Sequence, residues 1–348
     1  MKAVVIHQQH DLRIEERPVG EPGPGEVRIR LRAGGICGSD LHYYHHGGFG
    51  TVRIREPMIL GHEASGEISA IGDGVPGLAV GQRIAINPSR PQGDCEFVRE
   101  GQRQHAMDMR FNGSAMRFPH VQGLFREEIV IAAEQAVPVS ADTPFAEAAC
   151  CEPLAVCLHA VEQAGALVGK RVLVTGAGTI GCLTILAARL AGADEIIATD
   201  ISDAALAIAR AVGADKVFNV ANDPQALAPY AHAKGQIHVA FECSGSGPVL
   251  ASLLPLVRPR GTIVAVGIGN DVTLPIGTIV TKELVVRGSF RFDAEFALAA
   301  RLISDRRIDV RPLLSAQIPM ERAVEAFELA SDRTRSTKVH LTFDGVSP

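Results

Sequence analysis

The first 150 residues carry short runs in which apolar and polar positions alternate, separated by Gly- and Pro-rich turns. Alternation of this kind predicts β-strands with one buried face, and the spacing of the turn residues predicts a compact, strongly bent β domain. The predicted strands are "VVI" (4–6), "EVRIRLRA" (26–33), "ASGEISAIG" (64–72), "QRIAI" (82–86) and "EEIVIA" (127–132).

Near residue 153 the pattern changes, and continuous apolar runs begin to alternate with stretches of helical period. This order predicts a parallel sheet with helices on both faces. The predicted strands are 171–176, 195–200, 238–243, 262–267 and 283–288, and the predicted helices are 179–192, 202–213 and one near 247–257. The tail predicts an amphipathic helix at 320–331 and a last strand, "TKVHLTF".

Composition narrows the class of protein. The 348 residues include 47% hydrophobic and 21% charged residues, as expected of a packed chain with two domains. The net charge of −5 is spread along the sequence and does not suggest a nucleic-acid or membrane surface. No apolar run approaches the roughly 18 residues of a membrane span, and the start lacks the apolar core of a signal peptide, so we expect a cytoplasmic protein.

A phosphate-binding motif follows the predicted strand "RVLVT". Gly176, Gly178 and Gly181 form G-x-G-x-x-G at the start of a predicted helix, which is the context that a dinucleotide site requires. Asp200 ends the next strand about 20 residues later, where its carboxylate would accept hydrogen bonds from the adenosine ribose and repel a 2′-phosphate. NAD is therefore favoured over NADP, and Arg210 lies too far along the next helix to change this.

Other residues near the ends of the predicted strands are expected to line the same cofactor. A strand that ends in glycine is common for other reasons, so these residues form a weaker prediction than the glycine motif. They are Ile180, Ser244, Val266, Gly267, Ile268 and Phe290.

Candidate metal ligands lie in the β-rich half. Cys37, His62 and Glu63 offer a thiolate, an imidazole and a carboxylate, which zinc takes in catalytic sites that keep one position open. Glu152 adds a further carboxylate just before Pro153, where the two predicted domains meet. Each residue alone has an ordinary alternative: a buried thiol, a core histidine, an ion-paired acid or an exposed acid at a helix start.

Together the motifs carry a resemblance that extends over essentially the whole chain. "PGPGEVRIRLRAGGICGSDLH", "GHEASGEISAIG", "VGQRIAINP" and "EPLAV" followed by "VLVTGAGTIG" resemble the zinc-dependent medium-chain dehydrogenases. Within that family the stretches "GSDLHYYHHGG", "INPSRP", "MRFNGSAMRFPHVQG" and "RGSFRF" resemble the polyol branch, and most of all the L-idonate 5-dehydrogenases. The resemblance implies an α/β fold with a GroES-like β-rich catalytic domain, formed by residues 1–153 and 291–348, and a Rossmann NAD-binding domain at 154–290.

Residue roles follow from the resemblance by position. Cys37, His62 and Glu63 match three zinc ligands, and Glu152 matches a residue that binds zinc directly or through its water. Ser39 and His42 match a proton relay; His45 and His46 are expected at the surface. The remaining matches are Asp40, which would orient His62, Arg291, which would contact the zinc-bound water and substrate, and Tyr43, a substrate-pocket aromatic, with Arg110 and Arg117 as rival partners for a substrate carboxylate.

The resemblance implies hydride transfer between NAD and a secondary alcohol of a polyol or aldonate, with L-idonate as the expected substrate and 5-keto-D-gluconate as the product. A sorbitol or xylitol dehydrogenase, a threonine dehydrogenase-type enzyme and a non-catalytic NAD(H)-sensing protein remain alternatives. A homodimer or homotetramer is expected, because "DVTLPIG" (271–277) suggests a late strand at the sheet edge, where strands readily pair with a second copy.

One polar stretch departs from the family pattern. Zinc-containing members carry four cysteines in a lobe that corresponds to residues 87–107, and these close a structural Zn(Cys)₄ site. The four positions here are Gln92, Cys95, Val98 and Ala106, with His105 one residue out of frame. We therefore expect one zinc per chain, no structural zinc, and a partly exposed thiol at Cys95.

Overall fold

The computed structural model describes residues 1–269 and 271–343, which form two compact units. The first comprises 1–152, 296–332 and the described residues from Lys338 on, and the second comprises Pro153–Glu295 and Arg333–Thr337. The strands are β1 Lys2–Gln8, β2 Asp11–Glu16, β3 Glu26–Gly35, β4 Gly48–Phe49, β5 Val52–Arg53, β6 Met58–Ile59, β7 Glu63–Ile71, β8 Arg83–Ile86, β9 Ser89–Gln92, β10 Asp108–Phe111, β11 Glu128–Ala132, β12 Ala136–Pro138, β13 Arg171–Thr175, β14 Glu195–Asp200, β15 Lys216–Asn219, β16 Ile237–Glu242, β17 Val257–Ala265, β18 Val285–Gly288, β19 Leu314–Pro319 and β20 Lys338–Thr342.

In the second unit, helices alternate with strands along the chain, as the sequence pattern predicts. The helices of both units are α1 Gly38–His46, α2 Glu96–Arg99, α3 Phe145–Ala149, α4 Cys151–Ala164, α5 Thr179–Leu190, α6 Asp203–Ala211, α7 Gly247–Leu256, α8 Ile276–Lys282, α9 Glu295–Ser304 and α10 Ala323–Ser331, with 3-10 turns at Arg103–His105, Ala133–Gln135, Ala228–Lys234, Arg311–Leu313 and Met320–Arg322.

The first unit is built around a bent sheet of order β12-β8-β7-β3-β20-β19, with β11 also paired to β3. The apolar positions of β3, β7 and β8 face a core that includes Ile29, Leu31 and Phe125, none of which is exposed. This sheet brings β7 and β20 to opposite sides of β3. The predicted β-rich domain is confirmed.

The second unit is a six-stranded parallel sheet of order β15-β14-β13-β16-β17-β18. From β13 the chain adds strands first on one side, β14 and β15, and then on the other, β16 to β18. The point between β13 and β16 where this order reverses is the switch point at which such sheets bind dinucleotides. The predicted Rossmann fold is confirmed.

The strand predicted at 271–277 is wrong. Residues 271–275 form no strand, and Pro275 precedes α8, which begins at Ile276. Pro275 has no backbone N–H to donate to a ladder, and its fixed φ suits the residue before a helix. Among the described residues the sheet ends instead at β18, whose four residues are exposed.

Candidate metal and dinucleotide sites

Three donor side chains of different chemistry meet in the first unit. Cys37 caps the N-terminus of α1 two residues after β3 ends, while His62 immediately precedes β7 and Glu63 is its first residue. Glu63 pairs across the ladder with Gly35, which brings the end of β3 beside the start of β7. One donor atom from each of Cys37, His62 and Glu63 lies within 4.8 Å of the other two.

This donor set fits zinc. Zn–S bonds of about 2.3 Å and Zn–N or Zn–O bonds of about 2.0–2.2 Å require donors roughly 3–4 Å apart, so only a small contraction of the cluster is needed. Burial, together with the Glu63 carboxylate, raises the pKa of the Cys37 thiol to about 12. A bound cation would reverse that direction, because it binds the thiolate. Three protein ligands also leave the open position that a catalytic site requires.

Asp40 accepts hydrogen bonds from the backbone at Cys37 and at Gly61, the residue before His62. Its Oδ2 accepts the backbone N–H of Cys37 at 3.0 Å, and its Oδ1 accepts that of Gly61 at 3.2 Å. The distance from Oδ1 to His62 Nδ1 is 3.8 Å, which is too long for a hydrogen bond but close enough for an electrostatic contact. Burial raises the pKa of Asp40, and His62 opposes this effect.

Glu152 lies near this cluster but is not a member of it. Its side chain is buried, and burial raises its pKa to about 8, while His62 acts in the opposite direction and Glu63 and Cys37 add to the increase.

Three other predicted residues follow on α1. Ser39 is partly buried. His42 is exposed, and its ring contacts those of Phe49 and His46. Tyr43 is only 2% exposed, and its hydroxyl accepts the backbone N–H of Ala115 at 3.0 Å, so a large part of its role is to pack the core.

The three candidate arginines have different surroundings. Arg110 is exposed on β10, and Arg117 forms an ion pair with Asp108. Arg291 lies in the second unit with its guanidinium 4.9 Å from the Phe290 ring centre. Its φ is 55°, a left-handed backbone that non-glycine residues rarely adopt, and such strain clusters at functional sites.

The glycine motif has the close contacts that make glycine necessary. Gly176 has φ 84°, and a Cβ there would lie 2.8 Å from the Ser244 nitrogen. A Cβ on Gly181 would overlap the carbonyl oxygen of Gly176, far inside the 3.0 Å that real Cβ atoms keep. Gly178 caps α5 with open space around it, so the helix N-terminus is accessible to phosphate.

Asp200 is placed at the end of β14, but its carboxylate is already engaged. Oδ2 accepts the N–H of Ala177 at 2.7 Å, and Oδ1 accepts those of Ile201 and Ser202 at 2.7 and 2.9 Å. A carboxylate has about four lone-pair sites. Asp200 therefore orders the glycine-rich turn and retains limited capacity for a ribose hydroxyl.

Glu242, which the sequence interpretation missed, orders the loop at Ser244–Gly245, where a second contact to the cofactor is predicted. It is buried at the end of β16, where Oε1 accepts the N–H of Ser244 at 2.8 Å and Oε2 that of Gly245 at 3.1 Å. Its backbone oxygen accepts the N–H groups of Val266 and Gly267. The signal in the sequence was an acid in an otherwise apolar strand, "HVAFEC". Of the other predicted cofactor residues, Ile180 is partly buried on α5, while Ile268 and Phe290 are exposed.

The lobe at 87–107 is organised by secondary structure. β9 pairs with β10, and Cys95 caps the short helix α2. Among the described residues, no cluster of possible metal ligands includes Cys95. A second cluster lies in the other unit, where His159 Nδ1 is 2.7 Å from Glu295 Oε1 and Glu162 lies close by. The hydrogen bond between His159 and Glu295 already pairs two of the three side chains in this cluster.

A GroES-like sheet with a thiolate–imidazole–carboxylate cluster and a Rossmann sheet with its glycine turn define a zinc- and dinucleotide-dependent oxidoreductase. Family models agree: an "alcohol dehydrogenase GroES-like domain" matches residues 23–141, and a "zinc-binding dehydrogenase" matches 179–305. The chain belongs to the polyol branch of the zinc-dependent medium-chain dehydrogenases.

Individual relatives support this membership. The chain is 42% identical to the L-idonate 5-dehydrogenase (NAD(P)(+)) of Escherichia coli K12, covering 90% of this chain and 91% of that protein. It is 36% identical to the sorbitol dehydrogenase of Gallus gallus, covering 98% and 96%. The crystal structure of the E. coli L-idonate 5-dehydrogenase superposes with a TM-score of 0.95 at 39% identity, covering 98% of each chain. Within the described residues, no helix is long and apolar enough to span a membrane.

Proposed function

We propose that the chain is a zinc- and NAD-dependent aldonate dehydrogenase that oxidises L-idonate to 5-keto-D-gluconate, or catalyses the reverse reduction. The observation that carries this proposal is the Cys37–His62–Glu63 cluster, because three zinc-ligand types within 4.8 Å of one another would leave the open coordination position of a catalytic zinc. The identity to an L-idonate dehydrogenase supports the substrate.

The reaction removes a proton and a hydride from a secondary alcohol. A zinc ion held by Cys37, His62 and Glu63, with Glu152 on its water, would polarise the alcohol oxygen and stabilise the alkoxide. Ser39 would accept the hydroxyl proton, and exposed His42 would pass it to solvent. Bound NAD⁺ would supply the hydride acceptor, so alcohol and NAD⁺ would give ketone, NADH and a proton.

Other residues would bind and orient the reactants. The N-terminus of α5 would receive the pyrophosphate, and Asp200 the ribose. Arg291, a planar donor already held over Phe290, would bind the carboxylate of the aldonate. Tyr43 and Arg110 stay candidates for substrate contacts.

A panel of L-idonate, sorbitol, xylitol and L-threonine, each with NAD and with NADP, tests the proposal when zinc is measured on the same sample. L-Idonate with NAD should give the highest kcat/KM, and Cys37→Ala should abolish turnover together with bound zinc. Sorbitol dehydrogenase is the second candidate, because the sorbitol dehydrogenase of Gallus gallus is 36% identical over 98% of the chain, and a preference for sorbitol would select it. Turnover that survives Cys37→Ala would contradict the metal mechanism. Wild-type protein that binds NADH but turns over none of these substrates would favour the alternative of a non-catalytic NAD(H)-sensing protein.

We also propose a homodimer or homotetramer. The exposed edge strand β18 carries Val285 and Val286, which are 38% and 39% exposed, and an edge of this kind can pair with a second copy. Gel filtration that shows only a 36.9 kDa species would contradict this proposal.

A further inference from the structure

A buried lysine stands beside the metal-ligand cluster. Lys338, on β20, is 2% exposed, and its Nζ forms an ion pair with Glu63 Oε2 and donates to the carbonyl oxygen of Ile36 at 3.0 Å. Glu63 is itself 1% exposed. A buried ammonium without a partner costs several kcal/mol, so the pair must keep its geometry for the fold to remain stable.

The strand order explains how the two side chains meet. Gly35 on β3 pairs with Glu63 on β7 on one side and with His340 on β20 on the other. Lys338 lies two residues before His340 and therefore shares its face of the sheet. A Cβ on Gly35 would overlap Glu63 Oε2 and lie 2.8 Å from Lys338 Cε. The missing side chain of Gly35 thus lets the ion pair close across the central strand.

We propose that Lys338 is a positioning residue that holds the Glu63 carboxylate at the metal site and offsets the negative charge gathered there. The inference rests on the proposed zinc site and deepens it. Cys37, Glu63, Asp40 and Glu152 bring four acidic groups into one region, and the thiolate of Cys37 together with the Glu63 carboxylate would already neutralise one dication. The ammonium of Lys338 supplies a further positive charge and favours an anionic fourth ligand, such as an alkoxide, over a neutral alcohol.

The test measures zinc affinity with a competing chelator and the absorption spectrum of the Co²⁺-substituted protein, which reports ligand geometry without turnover. In Lys338→Met the zinc affinity should fall about 10- to 100-fold, the range found when a group that supports a ligand is removed, and the Co²⁺ bands should shift. Lys338→Arg keeps the charge and should restore part of the affinity. Lys216→Met removes a half-exposed lysine that pairs with Glu195 in the other unit and should match wild type.

Wild-type affinity and an unchanged Co²⁺ spectrum in Lys338→Met would overturn the inference. If that variant does not fold, Gly35→Ala replaces it, with Gly20→Ala as control, because a Cβ on Gly20 has nothing within 4 Å. Gly35→Ala should shift the Co²⁺ bands and Gly20→Ala should not; equal spectra for Gly35→Ala and wild type would overturn the inference. A wild-type protein that binds no zinc would overturn the proposed function as well, whereas zinc-binding wild type with an unaffected Lys338→Met would overturn the role of Lys338 alone.

Discussion

Gly61 lies between the candidate zinc ligand His62 and the packed core, and Gly61→Ala should disturb both. Its φ is 90°, and a Cβ there would overlap the ring of Phe125, which is completely buried. Its N–H donates to Asp40 Oδ1 at 3.2 Å, and its carbonyl oxygen accepts the N–H of Leu124 at 2.8 Å. The added methyl group therefore cannot be relieved by a shift of Gly61 without moving His62, the next residue.

The expected loss of folding stability in Gly61→Ala has two contributions, one from the backbone conformation and one from the clash with Phe125. A second glycine with a similar φ but no neighbouring side chain distinguishes them. The left-handed backbone costs an alanine about 1–2 kcal/mol, and insertion of a methyl into a packed core costs about 1–3 kcal/mol, so we expect a loss of roughly 2–5 kcal/mol. Gly77 has φ 76° with nothing within 4 Å of its Cβ position. Gly77→Ala should therefore lose only the backbone part, about 1–2 kcal/mol.

The assay is urea unfolding followed by circular dichroism, since the chain contains no tryptophan. Zinc affinity is measured on the same proteins, and it should fall in Gly61→Ala and stay at the wild-type value in Gly77→Ala. Equal losses of stability in the two variants would show that Phe125 does not oppose the methyl group. Unchanged zinc affinity in Gly61→Ala would show that this glycine does not position His62.

Three further perturbations address the cofactor, the pH dependence and the lobe. Asp200→Asn should raise KM for NAD by roughly 10- to 100-fold, the value of a lost charged hydrogen bond, and lower KM for NADP; an unchanged NAD value would contradict the ribose role. Burial alone would raise the pKa of Glu295, but the hydrogen bonds from His159 and from backbone N–H groups outweigh it and lower the pKa to about 2. Its stabilising effect is therefore present above its unfolded value of 4.5 and is lost as pH falls toward 2, so Glu295→Gln should flatten the loss of thermal stability over that interval, and a parallel profile would refute this. Hydrogen bonds from the N–H groups of Met107 and Val98 lower the pKa of Cys95, so Cys95→Ser should remove the fastest-reacting thiol of the zinc-loaded enzyme and leave zinc at one per chain; two zincs in wild type would contradict the lobe interpretation.

Local pattern was sufficient for the elements that determine the fold. The alternation in "EVRIRLRA" and the apolar run "EIIATD" follow from burial on one or both faces, and both became strands. The stretch 271–277 misled because its alternation continues across Pro275, where the chain turns into α8. A two-residue period is evidence for a strand only while every residue in it can take part in the ladder.

The contacts of the site residues could not be predicted where they involve residues far away in the sequence. Lys338 in "TKVHLTF" reads as a polar position of a half-exposed strand, and its burial depends on Gly35 and Glu63, roughly 300 residues away. Asp200 was expected to face a ribose, yet its oxygens also hold three backbone N–H groups that no motif spacing reveals. Residue types and motifs therefore predicted which ligands and cofactors the chain could bind. The hydrogen bonds and ion pairs of each side chain depend on how the strands pair, which the sequence pattern does not show.

The lobe shows how the same reasoning applies to an absent motif. In the family pattern four thiolates fold this segment around a metal, so their replacement should leave it without support. Instead β9 and β10 pair through four residues from Ser89 to Gln92, Ala106 is buried, and Arg99 donates to Asp94 at 2.9 Å. Backbone pairing and local packing thus order the lobe, and we expect it to need no structural zinc. Backbone pairing cannot replace the side chains proposed to hold a catalytic zinc, Cys37, His62 and Glu63, and all three are present in this chain.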